Sequence, residues 1–124
     1  MRAFYKLQIN FTSSIETFNA ISDILGIIPF NNDILSGKTL NEWTYEVVQE
    51  NDDPYFDFIK EFLDILENKY KKLLNLGIQK EDISVWYLYE YDQQCNMEFD
   101  PTRLKRLGEN GITLCISCWD SGEV

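Results

Sequence analysis

The sequence predicts an α+β fold, a two-layer sandwich with three helices on one face of a single, mainly antiparallel sheet of four or five strands. Three observations lead there. Runs with a two-residue apolar period, such as Tyr5, Leu7, Ile9 and Phe11, alternate with runs at helical spacing, such as Ile59, Phe62, Leu63 and Leu66. These runs follow in the order β-α-β-α-β-(β)-α-β, which most simply gathers the helices on one side of one sheet. A chain of 124 residues is long enough for one core and too short for two, so residues 1–124 are expected to form a single domain.

The first strand is Tyr5 to Phe11, with Lys6, Gln8 and Asn10 on its other side. Ser13-Ser14-Ile15-Glu16 follows as a capping box, Ser13 being the N-cap and Glu16 reaching back to it. Ile15, Phe18, Ile21 and Leu25 share one face of the first helix, which Gly26 and Pro29 stop. The segment 27–41 reads as a loop. Trp43, Tyr45 and Val47 alternate with Glu42, Thr44 and Glu46 in a second strand. Asp53 as N-cap and Pro54 at the first helical position then begin the longest helix. Its stripe is Tyr55, Ile59, Phe62, Leu63, Leu66, Tyr70, Leu73 and Leu74, and it ends near Gly77. Residues 83–91 are β-branched and aromatic, a strand, and Met97–Phe99 makes a short further one. Asp100-Pro101 starts the third helix through Leu104 and Leu107, stopped by Gly108 or Gly111. The last strand places Ile112, Leu114, Ile116 and Cys118 on its core face.

Charge narrows the function. The net charge is −10, and it is uneven. Residues 41–68 carry nine acidic groups against Lys60 alone, and residues 81–100 carry six with no basic one. Nucleic-acid phosphates would be repelled by such a surface, whereas a basic protein surface would be drawn to it. There is no histidine, which removes the usual general base and the commonest metal ligand. The start "MRAFYKLQIN" alternates polar and apolar residues, so no signal peptide is expected, and no run reaches the roughly 18 apolar residues of a membrane span. Three cysteines without an export signal fit a reducing cytoplasm.

Cys115 and Cys118 have the spacing of a redox or zinc pair. In a strand, however, positions three apart point to opposite faces, with Cα atoms about 10 Å apart. A disulfide needs about 7 Å or less, and a metal needs both sulfurs on one side. Cys118 is therefore expected in the core and Cys115 on the opposite face; Cys95 sits in a turn-like segment. Gly37-Lys38-Thr39 resembles the tail of a phosphate-binding loop, but Asn32 stands where that motif needs its first glycine. No nucleophile elbow or calcium loop is present, so no catalytic residue, metal site or cofactor is expected.

Asp57, Glu61, Asp64 and Glu67 read as the outer face of the long helix. Asp57 and Glu61 are like charges four apart, worth roughly 0.2–0.5 kcal/mol of helix destabilisation. A surface that keeps such self-repulsion is a candidate lure for a cationic partner. Strand 83–91 places large aromatics on the side that no helix covers whichever parity it adopts, Trp86 and Leu88 being one choice, and Trp119 joins them. Aromatic groups with a polar rim (Lys6, Gln8, Thr44, Glu46, Thr113, Ser117) have the makeup of a protein interface. A second copy of the chain, as a homodimer, or the loop 27–41 are the other candidate covers for that face.

Several landmarks together resemble domain-of-unknown-function family 4279, a family of small bacterial proteins. They are the opening strand and helix running into "LGIIP" (Leu25 to Pro29), the segment "GKTLNEW" with Gly37 and Trp43, the long helix, and the closing "FDPTRLKRLGENGITLCISCW". The ending departs from it, with cysteines and "WDSGEV" where such proteins tend to close on an acidic-aromatic strand. No catalytic residues are defined for that family, so none is carried over; the resemblance implies a place in toxin-immunity gene neighbourhoods.

The expected function is thus a non-catalytic, acidic protein-binding protein, an immunity protein that occludes a cognate toxin domain with a basic surface, such as a nuclease. The residues expected to meet that partner are Glu46, Asp52, Asp57, Glu61, Asp64, Trp86, Glu90, Asp92 and Trp119. The alternative is a small ligand-binding or carboxylate-dependent enzyme domain using Glu42, Glu46 or Glu90 in a cleft between sheet and helices.

Overall fold

A computed structural model describes residues 2–11, 15–29, 41–92, 94 and 96–120. The Ser13 cap, residues 30–40 with Gly37-Lys38-Thr39, Cys95 and residues 121–124 lie outside the described residues.

The α+β architecture is as expected. Strands β1 (Ala3–Asn10), β2 (Glu42–Gln49), β3 (Ile83–Tyr91) and β4 (Thr113–Asp120) form one sheet in the order β2-β1-β3-β4. β1 runs antiparallel to both neighbours, so Lys6 lies opposite Glu46 on one side and Trp86 on the other. β4 joins β3 in parallel, with Cys115 opposite Trp86. A parallel pair needs a crossover to carry the chain back, and helix α4 (Pro101–Asn110) supplies it.

The two-residue period settles which face is covered. Tyr5, Leu7 and Ile9 are fully buried on the helix side, as are Ile83 and Val85. Tyr87 and Tyr89 complete that row against the core, which fixes the parity of β3. Helix α1 (Ile15–Leu25) packs Phe18, Ile21 and Leu25 there and ends at Gly26, whose φ of +69° suits a residue without a side chain. Trp43 is wholly buried and donates its indole N–H to Ser22 Oγ on α1 at 3.0 Å. In α4, Asp100 caps the start by accepting from the Arg103 backbone N–H at 2.7 Å. Pro101 opens the helix and Gly111, not Gly108, ends it in the left-handed conformation.

Four expectations are corrected. The long helix is two helices, α2 (Phe58–Leu66) and α3 (Tyr70–Asn75), because Glu67 is extended and Asn68 takes φ +73°. Asn tolerates that conformation, and the apolar spacing runs on unbroken from Leu66 to Tyr70 and Leu73, so periodicity alone hides the break. The N-cap of α2 is Asp57, which accepts from the Lys60 backbone N–H. Asp53 instead accepts from the Glu50 N–H at 2.9 Å, closing the turn after β2, and Tyr55 lies exposed outside the helix. Residues 97–99 form no strand; Phe99 packs edge-on against Phe58 and Tyr87 at 6.1 and 6.3 Å between ring centres. Finally, Ile116 and Cys118 point to the helix side of β4 as expected but are exposed, because the helical layer does not extend over the far end of this edge strand.

Candidate interaction surface

The residues singled out from the sequence fall on two separate surfaces. Asp57, Glu61 and Asp64 lie on α2, in the helical layer. Glu46, Trp86, Glu90 and Trp119 lie on the opposite face of the sheet, and Asp52 and Asp92 stand just beyond the strand ends.

The α2 surface is engaged by α4. Arg103, Arg106, Leu107 and Asn110 recur at helical spacing and form the face that α4 turns toward α2. Arg103 grips Asp57 with two guanidinium nitrogens, the Nε at 2.9 and 3.0 Å, and reaches Asp100 Oδ2 with Nη1 at 2.6 Å. Arg106 Nη2 bridges Asp64 Oδ1 at 2.6 Å and Glu67 Oε1 at 2.7 Å. Asn110 Nδ2 donates to Glu67 Oε2 at 3.0 Å, and its Oδ1 accepts from the Tyr70 hydroxyl at 2.6 Å. Lys60 adds a 2.9 Å pair to Asp64.

The supposed self-repulsion is thereby relieved from a helix distant in sequence. The Arg103 guanidinium holds the Asp57 carboxyl below its ordinary pKa against the opposing effect of burial. Arg106, then Lys60, lowers Asp64, and Arg106, then Asn110, lowers Glu67. At Asp100 the Arg103 backbone N–H does most of the lowering. On the other side of the seam, burial pushes the Tyr70 hydroxyl up to about 12. Carboxylates held this firmly in their charged form are poor proton donors.

The open sheet face is built differently. β1 contributes Phe4, Lys6 and Gln8; β2 contributes Glu42, Thr44, Glu46 and Val48; β3 contributes Ser84, Trp86, Leu88 and Glu90; β4 contributes Cys115, Ser117 and Trp119. None of Phe4, Trp86, Leu88 and Trp119 packs against the core under the helices. Phe4 and Trp119 stack with centres 6.1 Å apart at 26°, Arg2 lies 5.2 Å from the Phe4 ring, and Trp119 keeps 38% of its surface exposed. Trp86 donates to Ser84 Oγ at 2.9 Å, and Lys6 pairs with Glu46 at 3.7 Å. Glu42 accepts from the Thr44 hydroxyl at 3.0 Å. Glu42, Glu46 and Glu90 therefore stand on this face and not in a cleft between sheet and helices.

Strand direction makes one end of this face acidic. β1 begins where β2, β3 and β4 finish, so Arg2 shares that end with Glu50, Asp52, Glu90, Asp92 and Asp120. Arg2 is bound to Glu50 at 3.2 Å. The Phe4–Trp119 stack sits at the same end, since Trp119 lies opposite Glu90 and Phe4 is one residue in from Ala3.

On the helix side of the sheet, a groove of about 410 Å³ runs between α3 and the turn into β3. It is lined by Tyr70, Leu73, Ile78 and Ile83, with Lys80 standing 4.6 Å over the Tyr70 ring. Glu81 is the acidic residue of its wall. Cys115 and Cys118 lie on opposite faces of β4, a placement that prevents them from sharing a disulfide or a metal. Among the described residues, no group of three or more Cys, Asp or Glu is placed to hold a metal ion, and no helix is long and apolar enough to cross a membrane. No family model, curated protein or solved structure matches the chain.

What the sequence missed was the role of α4. The stripe Arg103, Arg106, Leu107 and Asn110 mixes two cations and an amide with a single leucine, so it reads as a solvated face until the carboxylates of α2 are set opposite.

Proposed function

We propose that this chain is a non-catalytic protein-binding protein, most concretely an immunity protein of the bacterial cytoplasm that occludes a toxin domain bearing a basic surface, such as a nuclease. The binding surface in this reading is the acidic end of the open sheet face, with Phe4, Trp86 and Trp119 as anchors and Glu90, Asp92, Asp52 and Glu46 around them. The observation that carries it is the exposed Trp119 ring, stacked on half-buried Phe4, beside Glu90 and the neighbouring strand-end acids. Aromatic groups of this kind slow dissociation, while acids in excess of the neighbouring cations speed encounter. The resemblance to family 4279 supplies the toxin-immunity context.

The placement of Glu42, Glu46 and Glu90 on a broad sheet face, and of Asp57, Asp64 and Glu67 in arginine clamps, weighs for binding over carboxylate catalysis. The test is titration of the purified chain with the toxin domain encoded beside it. A stable complex is expected, with an association rate that falls as salt rises. Absence of a complex would overturn the reading, as would turnover of a small substrate that disappears when one of these acids is replaced.

A further inference from the structure

We propose that the Trp119 ring and the Glu90 carboxylate together receive an arginine side chain of the partner protein, and that Arg2 already fills the matching niche beside them. The inference rests on the protein-binding reading for its occupant and adds the side chain by which that occupant is gripped.

The acidic end of the open face is ordered in rows that cross the strands. Ala3 pairs with Gln49 on one side and Tyr89 on the other, so Arg2, one residue back, comes between Glu50 and Glu90. The Glu90 backbone N–H donates to the Arg2 carbonyl at 3.1 Å. Trp119 lies opposite Glu90 on β4 and closes the row. Glu50, Arg2, Glu90 and Trp119 therefore follow one another on one side of the sheet, an acid, a cation, an acid and a ring.

Arg2 shows what this chemistry selects. Its guanidinium lies 5.2 Å from the centre of the Phe4 ring and 3.2 Å from Glu50 Oε1. A ring and a carboxylate thus hold one flat, weakly hydrated cation, a task that suits a guanidinium better than a compact ammonium. The second ring and the second acid repeat the set. Trp119 stacks on Phe4, keeps 38% of its surface exposed, and has no cation over it among the described residues. Among the same residues no Lys or Arg stands within ion-pair distance of the Glu90 carboxylate, since Arg2, its neighbour in the row, is bound to Glu50.

Indole offers the strongest cation–π face of the aromatic side chains. An incoming guanidinium can stack on Trp119 while its fork donates to Glu90, and it then continues the alternation of charge that Glu50, Arg2 and Glu90 begin. The row around Lys6 lacks this vacancy. There Glu46 is the acid and is already paired with Lys6 at 3.7 Å, and Trp86 is followed by Cys115.

NMR titration of the isotope-labelled full chain with two capped peptides, acetyl-Gly-Arg-Gly-amide and its lysine counterpart, tests this. The arginine peptide is expected to shift the Trp119 indole N–H and the Glu90 amide saturably, with a dissociation constant about threefold or more below that of the lysine peptide. The indole signals of Trp43 and Trp86 should stay in place. Glu90→Gln should raise the constant about threefold or more, whereas the charge-matched Glu42→Gln, at the opposite end of the face, should leave it nearly unchanged. Circular dichroism reports that both variants fold, and the comparison of the two peptides on the wild type needs no variant. Because peptides take the place of the toxin domain, this result and the toxin-immunity reading can fail separately. Equal affinity for the two peptides, equal losses from Glu90→Gln and Glu42→Gln, or the absence of a saturable shift would overturn the proposal. So would tighter binding of free arginine than of the peptide, which would make the site one for a small molecule, or a Trp119 signal that follows the concentration of the chain itself, which would assign the face to a second copy.

Discussion

The α2–α4 seam and the open sheet face are made of similar residue types, acids with cations and aromatic neighbours, yet those residues are arranged differently. In the seam, Asp57, Asp64 and Glu67 are met by Arg103, Arg106 and Asn110, and two helices far apart in sequence are tied together. On the sheet face the rings of Phe4 and Trp119 stack on each other but remain accessible, and the acids at the strand ends outnumber Arg2. The difference teaches that a run of carboxylates is not by itself a binding surface. What counts is whether the fold has already supplied the counter-charges.

That contrast can be broken at several points. The largest effect is expected from Trp119→Ala, which should weaken binding of the proposed toxin domain about thirtyfold or more, as removal of a central aromatic anchor does. Isothermal titration measures this, and the loss of stability, read from urea unfolding, should be smaller than the loss of affinity because Trp119 is 38% exposed. Equal losses of stability and affinity would erase the distinction between the two regions.

Next is Asn110→Ala. It removes the acceptor of the half-buried Tyr70 hydroxyl and a donor to Glu67. Urea unfolding should show a loss of about 1–3 kcal/mol, the cost of leaving such groups without partners, with toxin-domain affinity unchanged.

Acid titration should show a smaller effect. Because Asp57, Asp64 and Glu67 are lowered in the folded chain, their contribution is present above the ordinary carboxylate range and is lost as pH falls through the depressed folded values. Stability should therefore decline below about pH 4, and Glu67→Gln should flatten that decline. Tyr70 works in the opposite sense. Its raised pKa gives a contribution that is complete below pH 10.0 and lost as pH rises toward about 12. A Tyr70→Phe variant should lack that alkaline limb. The smallest effect belongs to Glu61→Gln, since Glu61 is exposed and only 4.0 Å from Lys60. Its melting temperature should change by no more than about 2 °C.

Much of the fold was legible because its determinants are local. The alternation of Tyr5, Leu7 and Ile9, the stop at Gly26 and the Asp100-Pro101 start each depend on neighbours within a few residues. The break at Glu67–Lys69 was hidden because Asn68 enters the left-handed region without glycine's warning and the apolar spacing carries across. The exposure of Ile116 and Cys118 was hidden for another reason. Pattern fixes the face on which a residue points, whereas burial depends on how far the helices extend over that face. The sheet side of the candidate surface was visible through Trp86 and Trp119. The seam was not, because pairing Asp57 with Arg103 spans the whole distance from α2 to α4.

The most direct test is an NMR titration of the labelled chain with the proposed toxin domain, read at the three indole N–H signals. Trp119 and Trp86 should shift while Trp43, sealed against Ser22, should not, and the Arg103 and Arg106 side-chain signals should stay in place. Shifts concentrated on Arg103, Arg106 and the α2 amides, with Trp119 and Trp86 unmoved, would contradict the assignment of binding to the sheet face.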